Sequence, residues 1–572
     1  MRSFPGYTNI FFILLLSLVT VDTTAQVLPI PDYPKDYFQW PLGLKPEISA
    51  NYGEMRPNHF HMGLDIRTAQ KQNQPVSAAA EGYIARVRIE PSGFGRCIYI
   101  NHPNGLTTLY AHLNDFFPEL EDYIKKQQYL LKNWRIDLEI PANLFPVTKG
   151  QFIAFSGNTG ASQGPHVHFE IRNTATDKVL NPLLFGFAIE DSVAPNILKL
   201  AVYDRRISTY EQNPKIYSLK KVNGEYTSSP PLLSVNTDKV SFAITAVDRV
   251  TGSSNPNGIF EAVLFDNEEA VVGFQVDNIS YAETRDVNAH IDHKFRSSGG
   301  SFLQHVSKLP GYNESIYKMI KSDGVISLEK DSTHQIRIDV KDPNGNTSVL
   351  RFNIRSGVEF NNGPSPIFNE KEFRPGFINV FENDALSFFL PENCLYDSIR
   401  FRYAELNSKS ANPLHQVHTA IVPIHGYFTV RIKGNIPPAV KHKTVMLRYS
   451  GSRKDFKETV YNNGWYAASF REFGNFQLLV DTIPPVISPV KFKEGMNASK
   501  LSRLAFNIAD NSEELKNFTA TLDGNWIRFS NDKGRTFIYV FDEMCPPGEH
   551  ELVLSVEDCV GNRTEKKYHF TR

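Results

Sequence analysis

The sequence HVHFEIR at residues 166–172 follows the turn sequence GNTG at residues 157–160 and predicts a β-strand that opens with two histidines. Side chains two residues apart in a strand point to the same face of the sheet. His166 and His168 are therefore expected to project together from one face of a β domain.

Neighbouring segments extend the β pattern outward from this strand. Alternating or strand-like runs occur at residues 85–89, 98–100 and 106–110, and Asn104-Gly105 is a strong hairpin signal between the last two. These patterns predict a β domain over about residues 26–190.

A second motif, HMGLD at residues 61–65, also spaces polar side chains by an even number of residues. In a strand, His61 and Asp65 would share a face, and Gly63 between them would leave space beside the backbone for a metal. The sequence YAHL then places His112 at the end of the predicted hairpin strand.

These residue types suit a zinc site. Two imidazole nitrogens and one carboxylate oxygen can hold zinc and leave a fourth position for water. Metal activation makes that water a nucleophile near neutral pH, and two further histidines can move protons and stabilise an oxyanion. Spacing alone does not tell which of His166 and His168 would bind the metal. Sixteen histidines occur in 572 residues, and six crowd this predicted domain: His59, His61, His102, His112, His166 and His168.

Other readings of these residues are weaker. His59 and His102 fit no element of the set, and we interpret them as surface residues or as supports behind the ligands. The sequence contains no HExxH, which excludes the helix-borne zinc arrangement of zincins. Its one GxSxG match, GASQG at residues 160–164, precedes a predicted strand and not a helix, so it is no nucleophile elbow. Cys97 has no matching motif, and serine or cysteine hydrolysis is therefore disfavoured.

Taken together, GEMR at residues 53–56, HMGLD at 61–65, YAHL at 110–113 and GNTGASQGPHVHFEI at 157–171 resemble the lysostaphin-type (LytM-like) metallopeptidases. The resemblance covers about residues 50–172. It implies an antiparallel β core with a groove, and hydrolysis of peptides in bacterial cell-wall peptidoglycan.

The same resemblance implies a role for each residue. Zinc would be held by His61, Asp65 and His168. His112 and His166 would be the catalytic pair that positions and deprotonates water and stabilises the oxyanion.

The chain departs from that family between YAHL and GNTG, where typical members have a short connection and residues 114–147 form an insert. Residues Pro118 to Trp134 of the insert predict an amphipathic helix packed on the β body. The insert could lie along the groove and shape specificity, or cover it and hold the enzyme inactive. The predicted apolar face consists of Leu120, Tyr123, Ile124, Leu130, Leu131 and Trp134.

Beyond residue 190 the chain repeats itself imperfectly. Residues 191–197 resemble 481–487, and residues 334–342 match 550–558, with a D-x-x-G-N turn closing each of the longer segments. Alternating apolar residues predict strands, and such units suit immunoglobulin-like sandwiches. The expected regions are β-sandwiches at about 191–356 and 481–572, with a β-rich domain of unknown type at 357–480.

The predicted fold is therefore mostly β. It consists of an antiparallel β-sheet metallopeptidase core with one inserted helix, followed by two or three immunoglobulin-like β-sandwich domains.

The N-terminus predicts export. Arg2 precedes the apolar run at residues 10–19, and small residues end at Ala25, as in a secretory signal peptide of residues 1–25. The alternative, a membrane anchor, is disfavoured because the run is too short to cross about 30 Å of hydrocarbon. No later stretch is apolar enough, so we expect no membrane span after cleavage and a periplasmic or extracellular protein.

The numbers of charged residues and cysteines indicate which partners and which kind of fold to exclude. With 61 Lys+Arg against 62 Asp+Glu and no basic run, nucleic acid is not an expected partner. Four cysteines are too few for a disulfide scaffold. Cys545 and Cys559 could bridge, and two unpaired buried thiols are at least as good an interpretation.

The sequence leads to one functional expectation and two alternatives. We expect an exported zinc metalloendopeptidase that hydrolyses peptide cross-links of peptidoglycan, with β-sandwiches that bind the wall, space the domains or dock a cell-envelope protein. A non-catalytic groove or scaffold protein that recruits or activates a cell-wall hydrolase is the alternative of a different class. A protease acting on proteins outside the wall would use the same site.

Overall fold

The computed structural model describes residues 27–312, 316–357, 371–408, 412–512, 515–534 and 536–572. The predicted signal peptide, residues 1–25, lies outside the described residues. The described chain is mostly β, with one long helix, which confirms the predicted fold class. Among these residues no helix combines the length and the apolar character that a membrane crossing requires.

The N-terminal region is an antiparallel β fold into which the long helix is inserted. Its elements are β1 (Ile48–Ala50), β2 (Met55–Arg56), β3 (His59–Phe60), β4 (Leu64–Arg67), β5 (Pro75–Ser77), β6 (Gly82–Ile89), β7 (Arg96–Asn101), β8 (Leu106–Ala111), β9 (Leu113–Phe116), α1 (Pro118–Leu131), β10 (Ile136–Glu139), β11 (Pro146–Val147), β12 (Phe152–Ser156), β13 (His166–Asn173) and β14 (Val179–Leu180), and a 3₁₀ helix at Pro182–Phe185 follows.

The main sheet runs in the order β1-β4-β13-β8-β7-β6-β10, and β5-β12-β9 form a smaller sheet. Alternation along β13 fixes its orientation, because Val167, Phe169 and Ile171 are fully buried in the hydrophobic core. His166 and His168 therefore point to the other face. The predicted hairpin is also confirmed: β7 pairs with β8, and Gly105 in the turn has a φ of 79°.

Helix α1 is shorter than predicted and buries a narrower face. It begins at Pro118 and ends at Leu131, because Lys132 takes the left-handed conformation with a φ of 48°. Its buried residues are Leu120, Ile124 and Gln128. The expectation for the far end is wrong: Leu130 and Leu131 are 75% and 54% exposed, and Trp134 lies beyond the helix. With 3.6 residues per turn, Leu130 lies about 120° around the helix from Ile124, away from the core.

The second region packs two sheets around one core. Its elements are β15 (Asn196–Asp204), β16 (Lys215–Val222), β17 (Glu225–Val235), β18 (Lys239–Val247), β19 (Glu261–Asp266), β20 (Glu269–Gln275), β21 (Asn278–Ile279), α2 (Val287–His290), α3 (His293–Ser297), β22 (Gln304–His305), β23 (Tyr317–Met319), β24 (Ile326–Ser327), β25 (Thr333–Lys341) and β26 (Thr347–Ser356), with 3₁₀ helices at Thr209–Glu211 and Thr284–Asp286. The strands of both sheets form one hydrogen-bonded path, in the order β22-β18-β15-β16-β17-β26-β25-β19-β20-β23. Strand β16 connects the two sheets, because its first half pairs with β15 and its second half pairs with β17. Phe242 and Phe352 meet in the core between them, with ring centroids 5.2 Å apart.

This second region is fused to the first rather than trailing behind it. Strand β14 pairs with β21, so the main sheet continues from one region into the other. Tyr52 donates from its hydroxyl to the carbonyl of Val179 and accepts from the backbone amide of Ile279. One hydrophobic core contains Tyr52 and Phe60 together with residues of the sandwich.

The third region contains two five-stranded sheets, in the orders β28-β29-β33-β37-β36 and β31-β32-β38-β34-β35. Its elements are β27 (Glu372–Phe373), β28 (Asn379–Glu382), β29 (Leu386–Leu390), β30 (Ile399–Arg400), β31 (Tyr403–Leu406), β32 (Leu414–Val417), β33 (Pro423–Lys433), β34 (Thr444–Ser450), β35 (Arg453–Glu458), β36 (Val460–Asn462), β37 (Trp465–Glu472) and β38 (Gly474–Val480), with a 3₁₀ helix at Pro438–Lys443.

The last region is a smaller two-sheet fold with its own core. Its strands are β39 (Val486–Pro489), β40 (Met496–Asn497), β41 (Arg503–Ala509), β42 (Leu515–Leu522), β43 (Asn525–Trp526), β44 (Thr536–Val540), β45 (Glu549–Asp558) and β46 (Arg563–Thr571). The repeat detected in the sequence corresponds to β25 and β45, whose alternate apolar residues are buried in both copies. All four cysteines are buried and no disulfide joins any two of them, so Cys545 and Cys559 are separate thiols.

The last region folds back onto helix α1. Lys125 forms an ion pair with Glu543 at 2.8 Å, and the Tyr129 hydroxyl donates to the carboxylate of Asp542. The Tyr129 ring also meets Trp526 edge to face, with centroids 5.3 Å apart. The insert thus serves as a docking surface for the C-terminal sandwich.

Loosening this docking is a testable consequence. We expect the double substitution K125A/Y129F to speed amide hydrogen exchange in residues 526–543, because an ion pair and a hydrogen bond, each contributing about 1 kcal/mol or less, are lost together. K126A, which changes an exposed lysine on the same helix, is the matched control. Unchanged exchange in 526–543 would show that these contacts do not hold the two regions together.

Candidate active site

The predicted site residues come from neighbouring strands of the main sheet. Strand β13 lies between β4 and β8, and the register places His168 opposite both Asp65 and Ala111. His61 precedes β4, and His112 directly follows β8. The five residues that sequence analysis singled out lie together in one cleft: His61, Asp65, His112, His166 and His168.

Three ligand atoms converge on one point. Asp65 Oδ1 lies 2.9 Å from His61 Nε2 and 3.0 Å from His168 Nδ1, and the two nitrogens are 3.1 Å apart. In a tetrahedral site with zinc–nitrogen bonds of about 2.0–2.1 Å, ligand atoms are about 3.3 Å apart. The type and the spacing of these donors therefore fit zinc.

The charge around these atoms also favours a cation. Burial opposes the charged form of His168, but its contacts with the carboxylates of Asp65 and Glu170 outweigh burial and raise its pKa to about 9. The cluster thus stabilises positive charge where the three ligand atoms meet.

Each of the three residues is oriented by a further contact. His61 Nδ1 lies 2.7 Å from the carbonyl oxygen of Asn51, and His168 Nε2 lies 2.9 Å from Glu170 Oε1. Arg56 donates to Asp65 Oδ2 at 2.8 Å. Such contacts fix the imidazole tautomers and leave the other nitrogen of each ring for a metal.

Gly63 has a different role from the predicted one. A Cβ at this position would lie 2.5 Å from the carbonyl oxygen of Phe169 and 2.9 Å from His168 Nε2. The missing side chain therefore makes room for the strand β13 and the His168 ring, rather than for the metal itself.

His112 and His166 stand side by side next to the ligand atoms, with ring centroids 4.7 Å apart. His112 Nδ1 lies 2.8 Å from the carbonyl oxygen of Thr159, and His166 Nδ1 lies 2.8 Å from that of Gly164. If both Nδ1 atoms donate to these carbonyls, both Nε2 atoms remain as proton acceptors. His166 Nε2 lies 3.4 Å from Asp65 Oδ1.

The backbone and the charge state of His112 are both unusual. Its φ of 61° is left-handed, which costs roughly 1–2 kcal/mol for a residue other than glycine. Burial, together with repulsion from His168 and His166, lowers the pKa of His112 to about 3. The imidazole is therefore neutral at neutral pH, and one of its two nitrogens carries no proton.

A chain of polar residues behind His168 was not assigned a role from the sequence. Glu170 Oε2 accepts a 2.7 Å hydrogen bond from Arg172, and Glu170 Oε1 accepts one from the hydroxyl of Tyr281. Burial opposes ionisation of Glu170, but Arg172 and His168 lower its pKa to about 2. The alternation of β13 could have identified Glu170 and Arg172, whereas Tyr281 lies in the second region and carries no local signal.

We expect Y281F to weaken metal binding by about tenfold, because loss of an outer hydrogen bond to a ligand-supporting group typically costs 10- to 100-fold. Competition with a zinc-binding dye would measure the change. Y427F, at an exposed tyrosine of the third region, is the control. Equal zinc affinity in both variants would show that the second region does not support the site.

The cleft has a volume of about 1020 Å³ and is lined by residues from both sides of the cluster. Residues 161–165 form one edge, and Glu54, Arg56 and Tyr281 contribute elsewhere. No residue of the insert at 114–147, all of which the structure describes, is among the lining residues. The insert therefore does not cover this cleft, but its Asp137 binds Arg86 and Arg88, two of the lining residues.

The two histidines left outside the set behave differently from each other. His59 is exposed and lies at the edge of the cleft. His102 is buried, which corrects its interpretation as a surface residue: it contacts Thr108 and the carbonyl of Glu81 at the far end of β8 from His112. It does not support the ligands.

Comparison with known proteins agrees with this geometry. Residues 59–132 match the family model described as peptidase family M23. The chain contains a peptidase family M23 domain. The match ends inside the insert, and sheet pairing returns the later strand β13 of the M23 domain to β4 and β8.

Three relatives illustrate how far the similarity extends. An uncharacterized metalloprotease of Haemophilus influenzae is 29% identical over 26% of this chain and 27% of its own length. The DD-carboxypeptidase/endopeptidase Mpg of Neisseria meningitidis is 35% identical over 20% of each chain. The peptidoglycan DD-endopeptidase ShyA of Vibrio cholerae is 29% identical over 23% of this chain and 26% of its own. The chain therefore spans only about a fifth to a quarter of the length of these relatives.

The third region has a match of its own. Residues 372–481 match the family model described as a Zu5-like domain. This is the region for which the sequence predicted a β-rich domain of unknown type, and we refer to it below as the Zu5-like region.

Proposed function

We propose that this protein is an exported zinc metalloendopeptidase that hydrolyses peptide cross-links of bacterial peptidoglycan. The observation that carries the proposal is the convergence of His61 Nε2, Asp65 Oδ1 and His168 Nδ1 within 3.1 Å of one another, beside two further imidazoles in an M23 domain. Export is proposed from the N-terminal sequence alone.

The contacts of the site residues support the roles that the family resemblance implies. His61, Asp65 and His168 would hold the zinc ion, which supplies Lewis acidity and lowers the pKa of water. Asn51, Arg56 and Glu170 would keep these ligands oriented.

His112 and His166 would handle the proton. A neutral imidazole whose Nδ1–H is held by a carbonyl accepts a proton at Nε2 from the attacking water. The resulting imidazolium then stabilises the oxyanion of the peptide and returns the proton to the leaving amine. Thr159 and Gly164, whose carbonyls bind the two Nδ1 atoms, set the direction in which both rings act.

The substrate class is proposed from the names of the Neisseria and Vibrio relatives and from the cleft. An open cleft of about 1020 Å³ can accept a branched peptide. The sandwiches that follow would bind the wall or a cell-envelope protein.

Digestion of purified sacculi tests the proposal. The mature protein should release peptide-cleaved muropeptides, identified by mass spectrometry, and a zinc chelator should abolish the release. Casein offered in parallel separates a wall peptidase from a general protease. Intact sacculi after incubation with zinc-loaded protein would contradict the proposal.

A non-catalytic role is the second candidate, and one contact favours it. Asp532 and Lys533 of the last region hold residues 158–162 beside the cleft: Gly160 donates to Asp532 Oδ1 at 2.8 Å, and Lys533 Nζ donates to the carbonyl of Ser162 at 2.6 Å. A groove clamped in this way could bind without turnover. Zinc binding without cleavage, in both the parent and a D532A/K533A variant, would favour this second role.

A further inference from the structure

Two clusters of aspartates occupy equivalent places in the two sandwiches that the sequence repeat relates. In each cluster, one carboxylate oxygen per residue lies within 4.8 Å of the others. The clusters are Asp191, Asp248 and Asp342 in the second region, and Asp481, Asp510 and Asp558 in the last.

The three positions of each cluster correspond along the chain. The first aspartate lies in the segment that enters the sandwich, and the second directly follows a strand, β18 in one copy and β41 in the other. The third begins the D-x-x-G-N turn after β25 or at the end of β45. The same trio of carboxylates is therefore built twice by the same topology.

The turn fixes the entering segment in both copies. Asn346 donates from Nδ2 to Asp342 Oδ2 at 2.7 Å and to the carbonyl of Asp191 at 3.3 Å. Asn562 makes the equivalent bonds to Asp558 Oδ2 at 2.7 Å and to the carbonyl of Asp481 at 3.0 Å. These bonds satisfy Oδ2 of the third aspartate, and its Oδ1 accepts from two backbone amides of the turn in each copy.

Buried oxygens without partners are the second, independent observation. Asp248 is 2% exposed and its Oδ1 has no hydrogen-bond partner; Asp481 is 4% exposed and the same holds for its Oδ2. Asp510 Oδ1 is also buried without a partner. Among the described ion pairs, none joins any of the six carboxylates to a lysine or arginine.

Leaving such oxygens unpaired is costly, since a buried charge without a partner loses its solvation by water and gains nothing in return. Three carboxylates that each place an oxygen within 4.8 Å of the others also repel one another. A cation within each cluster would remove both penalties.

We propose that each cluster binds one calcium ion. The clusters offer only oxygen ligands, and three carboxylates, completed by waters, suit the six to eight oxygens that Ca²⁺ takes. Zinc prefers the nitrogen-containing set in the M23 domain, and Mg²⁺ usually keeps several waters and uses one or two carboxylates.

The positions of the clusters indicate what calcium would do. Asp191 lies between the M23 domain and the second region, and the loop after Asp248 reaches the M23 domain through a 2.9 Å hydrogen bond from Asn255 to the carbonyl of Ser49. The turn after Asp558 contacts the Zu5-like region, where Lys443 donates to the carbonyl of Val560 at 2.9 Å. Bound calcium would therefore stiffen both junctions between domains.

Calorimetric titration of the full-length, zinc-loaded protein with CaCl₂ tests the inference. We expect two calcium ions per chain, one after D248N, one after D510N and none after both substitutions. D331N, at an exposed aspartate of the second region, is the matched control and should retain two. No calcium binding by the parent, or two ions bound by the double variant, would overturn the inference, as would binding of MgCl₂ in preference to CaCl₂.

Thermal unfolding separates ion binding from a structural role of the aspartates. Without calcium, D248N and D510N should unfold at or above the melting temperature of the parent, because each substitution removes repulsion. With calcium, the parent should gain several degrees and the double variant none. Variants that unfold well below the parent in calcium-free buffer would show that the carboxylates stabilise the fold by themselves. Zinc content and sacculus cleavage are separate readouts, so this inference and the proposed peptidase activity can fail independently.

Discussion

Replacing His168 by alanine is expected to remove the metal and the activity together. His168 Nδ1 is one of three atoms that meet within 3.1 Å, and Asp65 and His61 alone leave an incomplete ligand set. We expect zinc affinity to fall by more than about 100-fold, beyond the usual effect of an outer contact. H61A should behave in the same way.

Metal content by atomic absorption, measured beside sacculus cleavage, checks this expectation. H442A, at an exposed histidine of the Zu5-like region, should keep one zinc and full activity. If H168A also kept one zinc per chain, the proposed ligand set would be wrong. Restoration of cleavage at high zinc concentration would instead indicate weakened binding by the remaining ligands.

Replacing His112 or His166 by alanine is expected to separate metal binding from turnover. Neither residue contributes one of the three convergent atoms, so zinc content should stay at the parental level. Cleavage should fall by about 10²- to 10⁴-fold, the range for loss of a general acid or base.

The comparison of H166A with H168A decides a question that spacing in the strand leaves open. His166 Nε2 is 3.4 Å from Asp65 Oδ1, whereas His168 Nδ1 is 3.0 Å from it, and only His168 also contacts His61. Loss of zinc in H166A with retention in H168A would reverse the roles of the two residues.

The site could be predicted from the sequence because its parts are short and periodic. The spacings of His61 with Asp65 and of His166 with His168 follow directly from strand geometry, and the family resemblance supplied the roles. Glu170 lies two residues after His168 in the same strand, so the same alternation could have placed it on the face of the histidines. Tyr281 and the carbonyl of Asn51 could not be placed in this way, because long-range packing brings them to the site and no local pattern records it.

For the fold, too, the features set by local sequence could be predicted, and those set by long-range packing could not. Strand-rich regions, the hairpin at Gly105 and the start of helix α1 at Pro118 follow from local chemistry. The exposed end of α1 does not, because an apolar leucine indicates a buried face only if a neighbour covers it. The continuous sheet through β14 and β21 could not be predicted either, because a strand of two residues is too short to show an alternating pattern in the sequence.

The return of the last region to the M23 domain has a consequence for the order in which the protein matures. Synthesis proceeds from the N-terminus, so the M23 strands emerge several hundred residues before Asp532 and Lys533. Residues 158–162 therefore lack these hydrogen-bond partners until synthesis has passed Lys533. A nascent chain that stops before this point, or a variant truncated there, carries the histidines without these contacts beside the cleft.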